Sequence, residues 1–197
     1  LVENSKRLTL ADCHLANPQH RGSGGNGYLF QVSRSNHILT RDCEADAGRH
    51  NFIQNWDFGC AGCVWLRCRS SGGRAFLASY DPLGFPAFSE FHHSLAMACL
   101  MDQCELVDGW CALNRGDYSS GAGHTATQSV FWNANGGGLI RSWQFGNGYI
   151  IGTENLSVST QLHDAAAAGS MPEDYCEGLN RGSDLQRLGV RGDFSQL

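Results

Sequence analysis

Five segments of this chain share one arrangement of apolar and polar positions around a small central residue. The centres are Cys13, Cys43, Cys68, Cys104 and Ala134, within LTLADC, ILTRDC, VWLRC, CLMDQC and SVFWNA, and they fall 30, 25, 36 and 30 residues apart. The residue before each centre is polar: Asp12, Asp42, Arg67, Gln103 and Asn133. So is the residue after: His14, Glu44, Arg69, Glu105 and Asn135. Four positions before the centre, and in phase with it, stand Thr9, Leu39, Val64, Leu100 and Val130. Alternation of period two describes a pleated strand, not a helix. The position two before the centre breaks the alternation (Ala11, Arg41, Leu66, Asp102, Trp132), which predicts a bend or an exposed flank there.

A single short strand cannot bury its face, but stacked copies can, each covering the last at about 4.8 Å per step. Further strands are expected at Tyr28 to Val32, Asn51 to Gln54 and Ser94 to Ala98, with Gly-, Asn- and Ser-rich loops between copies. Coils of this length with two or three short strands predict an all-β parallel β-helix of about six coils. Leucine-rich repeats fit poorly, because their LxxLxLxxN signature is absent. Residues 1–160 are assigned to the coils. Residues 161–197 read as a linker and a C-terminal tail packing on them, with a short alanine-rich piece at Gln161 to Ala168.

Composition agrees with a sheet-and-turn protein. Of 197 residues, 25 are glycine and only 17% are charged. A net charge of −5 without any basic run argues against nucleic acid as a partner. No stretch approaches the roughly 18 apolar residues of a membrane span. The chain opens at Leu1 without a visible leader, so a processed or longer parent protein is expected.

Nine cysteines point to an oxidising, extracellular or cell-surface location. Cys63 and Cys99 each lie five residues before a central Cys68 or Cys104. Stacking would place counterparts at the Cα separation of about 4.4–6.8 Å that a disulfide spans. Cys68–Cys104, Cys63–Cys99 and Cys13–Cys43 are therefore candidate bridges. The alternative is a ladder of reduced thiols acting as small hydrophobes.

GRHNFIQNWDFG (48–59), SEFHHSLAMACLMD (89–102), SSGAGHTATQSVFWN (119–133), QFGNGYIIGT (144–153) and PEDYCEGLNRG from Pro172 resemble a group of secreted, mostly bacterial proteins of the pectate-lyase-like superfamily. The resemblance implies a right-handed parallel β-helix. It implies no particular reaction, because that fold hosts lyases, hydrolases, epimerases, adhesins and inert structural proteins.

Candidate chemistry gathers at Arg49-His50-Asn51, at His92-His93, and at Asn114-Arg115 with Tyr118 and His124. A polysaccharide lyase needs a base and a group that stabilises the developing enolate. His50, His93 and His124, with Arg49 and Arg115, are the catalytic candidates under that reading. Asn51, Asn114, Tyr118 and the off-repeat Trp56, Trp110 and Trp143 are candidates for holding or stacking on sugar rings. The plainer alternative is that buried His and Asn satisfy backbone groups at coil corners and that the tryptophans pack in the core. No acidic string forms a calcium cage and no second CxxC accompanies Cys60–Cys63, so no metal and no cofactor is expected. Asn155-Leu156-Ser157 is a sequon for glycosylation.

Two functions of different class follow. One is a secreted or cell-surface module with a structural, assembly or glycan-presenting or glycan-binding role, such as a filament or sheath subunit. Its partners would be a polysaccharide or cell-surface glycan and further protein stacked on the open N-terminal coil. The other is a polysaccharide lyase or related carbohydrate-active enzyme.

Overall fold

The recurring segment is a three-residue strand followed by a corner. In this computed structural model the described residues are 1–20, 26–54, 59–74, 88–92, 95–114, 125–144 and 148–160, and they are all-β. Residues 161–197, assigned to the linker and tail, lie outside them. A six-stranded sheet is built from Thr9–Ala11, Leu39–Arg41, Val64–Leu66, Leu100–Asp102, Val130–Trp132 and Tyr149–Ile151. Neighbours pair in parallel with equivalent residues opposite one another, as Leu39↔Val64, Val64↔Leu100 and Leu100↔Val130. Tyr149–Ile151 is a sixth copy, centred on Thr153, which lacks the small-residue signal of the other five.

The remaining sheets follow the same rule. Val2–Glu3, Tyr28–Ser33, His50–Gln54, Ser89–Phe91, Gly109–Leu113, Leu139–Trp143 and Ser157–Thr160 form a seven-stranded parallel sheet in that order. His14–Ala16, Glu44–Asp46, Arg69–Ser71 and Glu105–Leu106 form a four-stranded one. Cys60–Ala61 pairs with Ala96–Met97 in a fourth, two-stranded sheet. The strand expected over Ser94 to Ala98 is thus shorter and belongs to this small sheet, while the seven-stranded sheet takes Ser89–Phe91 instead.

Left-handed residues make the corners. Asp12, Asp42, Arg67, Gln103 and Asn133 have φ between 48° and 55°, and Gly152 in the sixth copy has 69°. A second set, Arg7, His37, Gly62, Ala98 and Gln128, stands five residues earlier with φ from 50° to 62°. Each such conformation costs a non-glycine residue about 1–2 kcal/mol. The corners still satisfy their backbone, because they continue the ladder: Asp42 N donates to Leu66 O at 2.9 Å, and Arg69 N to Cys43 O at 2.9 Å.

The corners also correct the phase read from the sequence. Period-two counting puts Leu39, Val64, Leu100 and Val130 on the inward side with the cysteines. The structure leaves them partly exposed and buries the middle residues Thr40, Trp65, Met101, Phe131 and Ile150 instead. The left-handed residue between strand and cysteine swings the chain, so both the middle residue and the cysteine face inward.

Aromatic rings fill the interior. Phe30 stacks on Phe52 at 5.0 Å, and Trp110 meets Trp65 at 5.3 Å, Phe91 at 5.6 Å and Phe52 at 6.0 Å. Gly109 marks a close backbone approach: its φ is 136°, and a Cβ there would lie 2.4 Å from Leu139 O.

Two substitutions test the corner geometry. Ala98→Gly, at an exposed residue with φ of 50°, is expected to stabilise the fold by about 0.5–1 kcal/mol. Gly109→Ala is expected to destabilise it by about 2 kcal/mol or more. Urea unfolding midpoints read both; a loss of stability in Ala98→Gly would contradict the corner assignment.

Candidate functional site

Glu90 is a carboxylate buried to 4% exposure on the seven-stranded sheet. It is held between two imidazoles. His50, from the adjacent strand His50–Gln54, places Nε2 3.3 Å from Glu90 Oε1. His92, two residues beyond Glu90, brings Nδ1 to the same oxygen. The two rings lie 5.9 Å apart, and Tyr28 packs edge-on against His50 at 5.1 Å. The Arg49 guanidinium sits 5.6 Å from the Tyr28 ring centre.

His50 Nδ1 is 2.6 Å from Phe88 O, a carbonyl that can only accept, so Nδ1 carries a proton. The other ring nitrogen, Nε2, faces Glu90 Oε1 across 3.3 Å. A carboxylate in contact with two imidazoles brings together the group types that proton transfer uses.

The sequence expected His50 and Arg49 here but chose His93 over His92 and overlooked Glu90 and Tyr28. Period two would have found the pair: in an extended SEFHH, Glu90 and His92 share a face. His93, Arg115, His124, Trp56 and Tyr118 lie outside the described residues.

Four candidates have structural tasks. Asn51 is fully buried; its Oδ1 accepts from Gly48 N at 2.9 Å, and its Nδ2 donates to Ser71 O at 2.7 Å and Asp108 Oδ2 at 3.0 Å. Asn114, 1% exposed, accepts from Thr125 N at 3.0 Å. Both correct the expectation of sugar contact, since their polar atoms bridge the protein's own backbone. Trp110 is corrected likewise, because its ring is enclosed by the core aromatics. Trp143 is 5% exposed, with the Arg141 guanidinium 3.8 Å over its ring and its indole N–H given to Ser159 Oγ. Neither tryptophan offers an open stacking face. Asn155 of the sequon is exposed, at φ 56°.

The cysteine pairs expected from the spacing do meet, as thiols. Cys13, Cys43, Cys60, Cys63, Cys68, Cys99 and Cys104 are free thiols, of which Cys13 is exposed and the rest are buried. The central thiols plug the corners and donate to backbone carbonyls of the preceding copy, Cys68 to Thr40 O at 3.3 Å and Cys104 to Trp65 O at 3.4 Å. Parallel strands in register hold equivalent Cβ atoms near the strand spacing of about 4.8 Å, beyond the roughly 3.8 Å that a disulfide prefers. Contact with Cys99 lowers the Cys63 pKa to about 7, while burial pushes Cys99 well up. Burial lifts Cys43 and Cys60 to about 11. Labelling after unfolding without reductant is expected to find Cys43, Cys63, Cys68, Cys99 and Cys104 as thiols. In the folded protein Cys13 should label ahead of those five. Mass-mapped disulfides at Cys63–Cys99 or Cys68–Cys104 would contradict this.

Asp108 is a half-buried carboxyl, receiving hydrogen bonds from Ser70 Oγ at 2.8 Å, Gly73 N at 3.0 Å and Gly109 N at 2.8 Å. Burial nevertheless raises its pKa above 3.8, against the pull of those donors. The folded state therefore binds this proton more tightly than the unfolded chain. Its stabilising contribution is complete below the unfolded value and is lost as pH rises through the folded one. Stability curves should show a fall on the alkaline side of 3.8 that disappears in Asp108→Asn. An unchanged profile would contradict the assignment.

Among the described residues, no group of three or more His, Cys, Asp or Glu is arranged to hold a metal ion, and no helix is long and apolar enough to cross a membrane. No protein-family model, no curated protein and no solved structure matches this chain.

Proposed function

We propose that this chain is a right-handed parallel β-helix serving as an extracellular or cell-surface structural module, whose outer surface assembles with further protein or faces a glycan. One observation carries the reading: the polar and aromatic side chains that a sugar site would use at Asn51, Asn114 and Trp110 are consumed inside the protein. Among the described residues, the outer surface repeats from copy to copy. The Glu3–Arg34, Asp42–Arg67 and Arg69–Glu105 ion pairs tie neighbouring copies along it. Exposed pairs of this kind add little stability, so they are better suited to setting surface character and register.

A second reading, a polysaccharide lyase or related carbohydrate-active enzyme, is favoured by the His50–Glu90–His92 cluster, which gathers two imidazoles and a carboxylate of the kind that proton abstraction uses. Uronate polymers incubated with the purified chain separate the two. The structural reading expects no ultraviolet absorbance from unsaturated uronates and higher-order assemblies in electron micrographs. Product that disappears in His92→Gln and Glu90→Gln, with monodisperse particles in micrographs, would move the assignment to the enzyme.

A further inference from the structure

The outer face of the six-stranded sheet carries two straight rows of side chains. The first is Thr9, Leu39, Val64, Leu100 and Val130, continuing to Tyr149. The second is Ala11, Arg41, Leu66, Asp102 and Trp132, continuing to Ile151. From Leu39 to Trp132 every outward residue is partly exposed, and Tyr149 is 38% exposed. Eight of these twelve positions hold Leu, Val, Ile, Trp or Tyr. Aligned apolar rows on a sheet surface are a docking feature rather than scattered exposure.

The second row is complementary to itself in reverse. Consider a two-fold axis lying parallel to the strands, above Val64–Leu66. It faces the sheet with a second copy, keeps each row opposite itself and reverses strand order. Arg41 then meets Asp102 of the other copy, and Asp102 meets Arg41. Ala11, the smallest residue of the row, meets Trp132, the largest. Leu66 meets Leu66 on the axis. In the first row Leu39 meets Leu100, Thr9 meets Val130 and Val64 meets Val64. Opposite charge and opposite size coincide about one centre, as an isologous interface requires.

We infer that this face is a two-fold interface with a second copy of the chain. Arg41 already touches Asp42 at 2.5 Å and Asp12 at 3.5 Å, and its guanidinium has five N–H donors with which to reach one more carboxylate. A sugar polymer fits this face less well, since the central positions are aliphatic and charged rather than aromatic. Six strands at about 4.8 Å make a strip about 24 Å high. An interface of that size lies at the small end of specific contacts, below about 1,200 Å² in total. The dimer is accordingly weak and concentration-dependent. This inference draws only its partner from the assembly reading above.

Sedimentation equilibrium of the whole chain tests it. The wild type should dimerise reversibly. Arg41→Asp places like charges opposite one another and should weaken the dimer by about tenfold or more, as should Asp102→Arg. The double variant exchanges the two signs and should restore the wild-type constant. Leu66→Asp should abolish the dimer, and circular dichroism that matches the wild type would show that the fold survives. A monomer at millimolar concentration overturns the inference. So does a dimer indifferent to the single reversals, or one that the double variant fails to recover. Retention of monomeric chain on an insoluble glycan, lost in Leu66→Asp, would assign the face to sugar and overturn it as well. Filaments that persist through every variant would leave the assembly reading standing and remove this one.

Discussion

The structure depends on corners that remain part of the ladder. A left-handed residue ordinarily ends regular pairing, because it turns its amide away from the strand neighbours. Here Asp42, Arg67, Gln103 and Asn133 each give that amide to the carbonyl at the equivalent place in the next copy, at 2.9 Å in all four. Two adjacent sheets are thereby joined without stranding a polar group inside. The conformational cost of the corners is offset by hydrogen bonds of about 1 kcal/mol net each and by the inward turn of two side chains per copy. The small residue at each centre follows from this geometry. A cysteine fits inside the bend, and its S–H supplies one more donor for a neighbouring carbonyl.

Much of this was legible in the sequence, and the rest was hidden for identifiable reasons. Polar residues on both sides of Cys13, Cys43, Cys68, Cys104 and Ala134 revealed the repeat, its strand character and the parallel stacking. The inward phase was misread because φ is invisible in a string of letters: Asp, Arg, Gln and Asn at the corners read as ordinary exposed strand residues. Glycine would have betrayed the turn, and only Gly152 stands at the equivalent corner, in the copy that lacked the small centre. Cysteine spacing correctly paired the thiols. It carried no information on Cβ separation, which decides whether proximity becomes a bond.

The candidate site was legible in part. His50 and Arg49 were visible as a polar pair beside a strand. Glu90 was not, because a single acid among serine, phenylalanine and histidine looks solvated until the neighbouring strand closes over it. Conversely, Asn51 and Asn114 advertised themselves as ligands and are structural. Amides are useful both for gripping sugars and for bridging backbone, and sequence cannot tell which task they perform. The His50–Glu90–His92 cluster and the aliphatic rows lie on different sheets, so chemistry and association can vary independently.

The left-handed corners recur with constant separation while the copies differ in length. Five residues part Arg7 from Asp12, His37 from Asp42, Gly62 from Arg67, Ala98 from Gln103 and Gln128 from Asn133, yet the centres of these five copies lie 25 to 36 residues apart. All variation in length is thus confined to the stretches outside that side of the cross-section. Material can be inserted or exchanged there without disturbing the perimeter on which the rows are drawn, so decoration evolves freely while the measuring edge stays fixed.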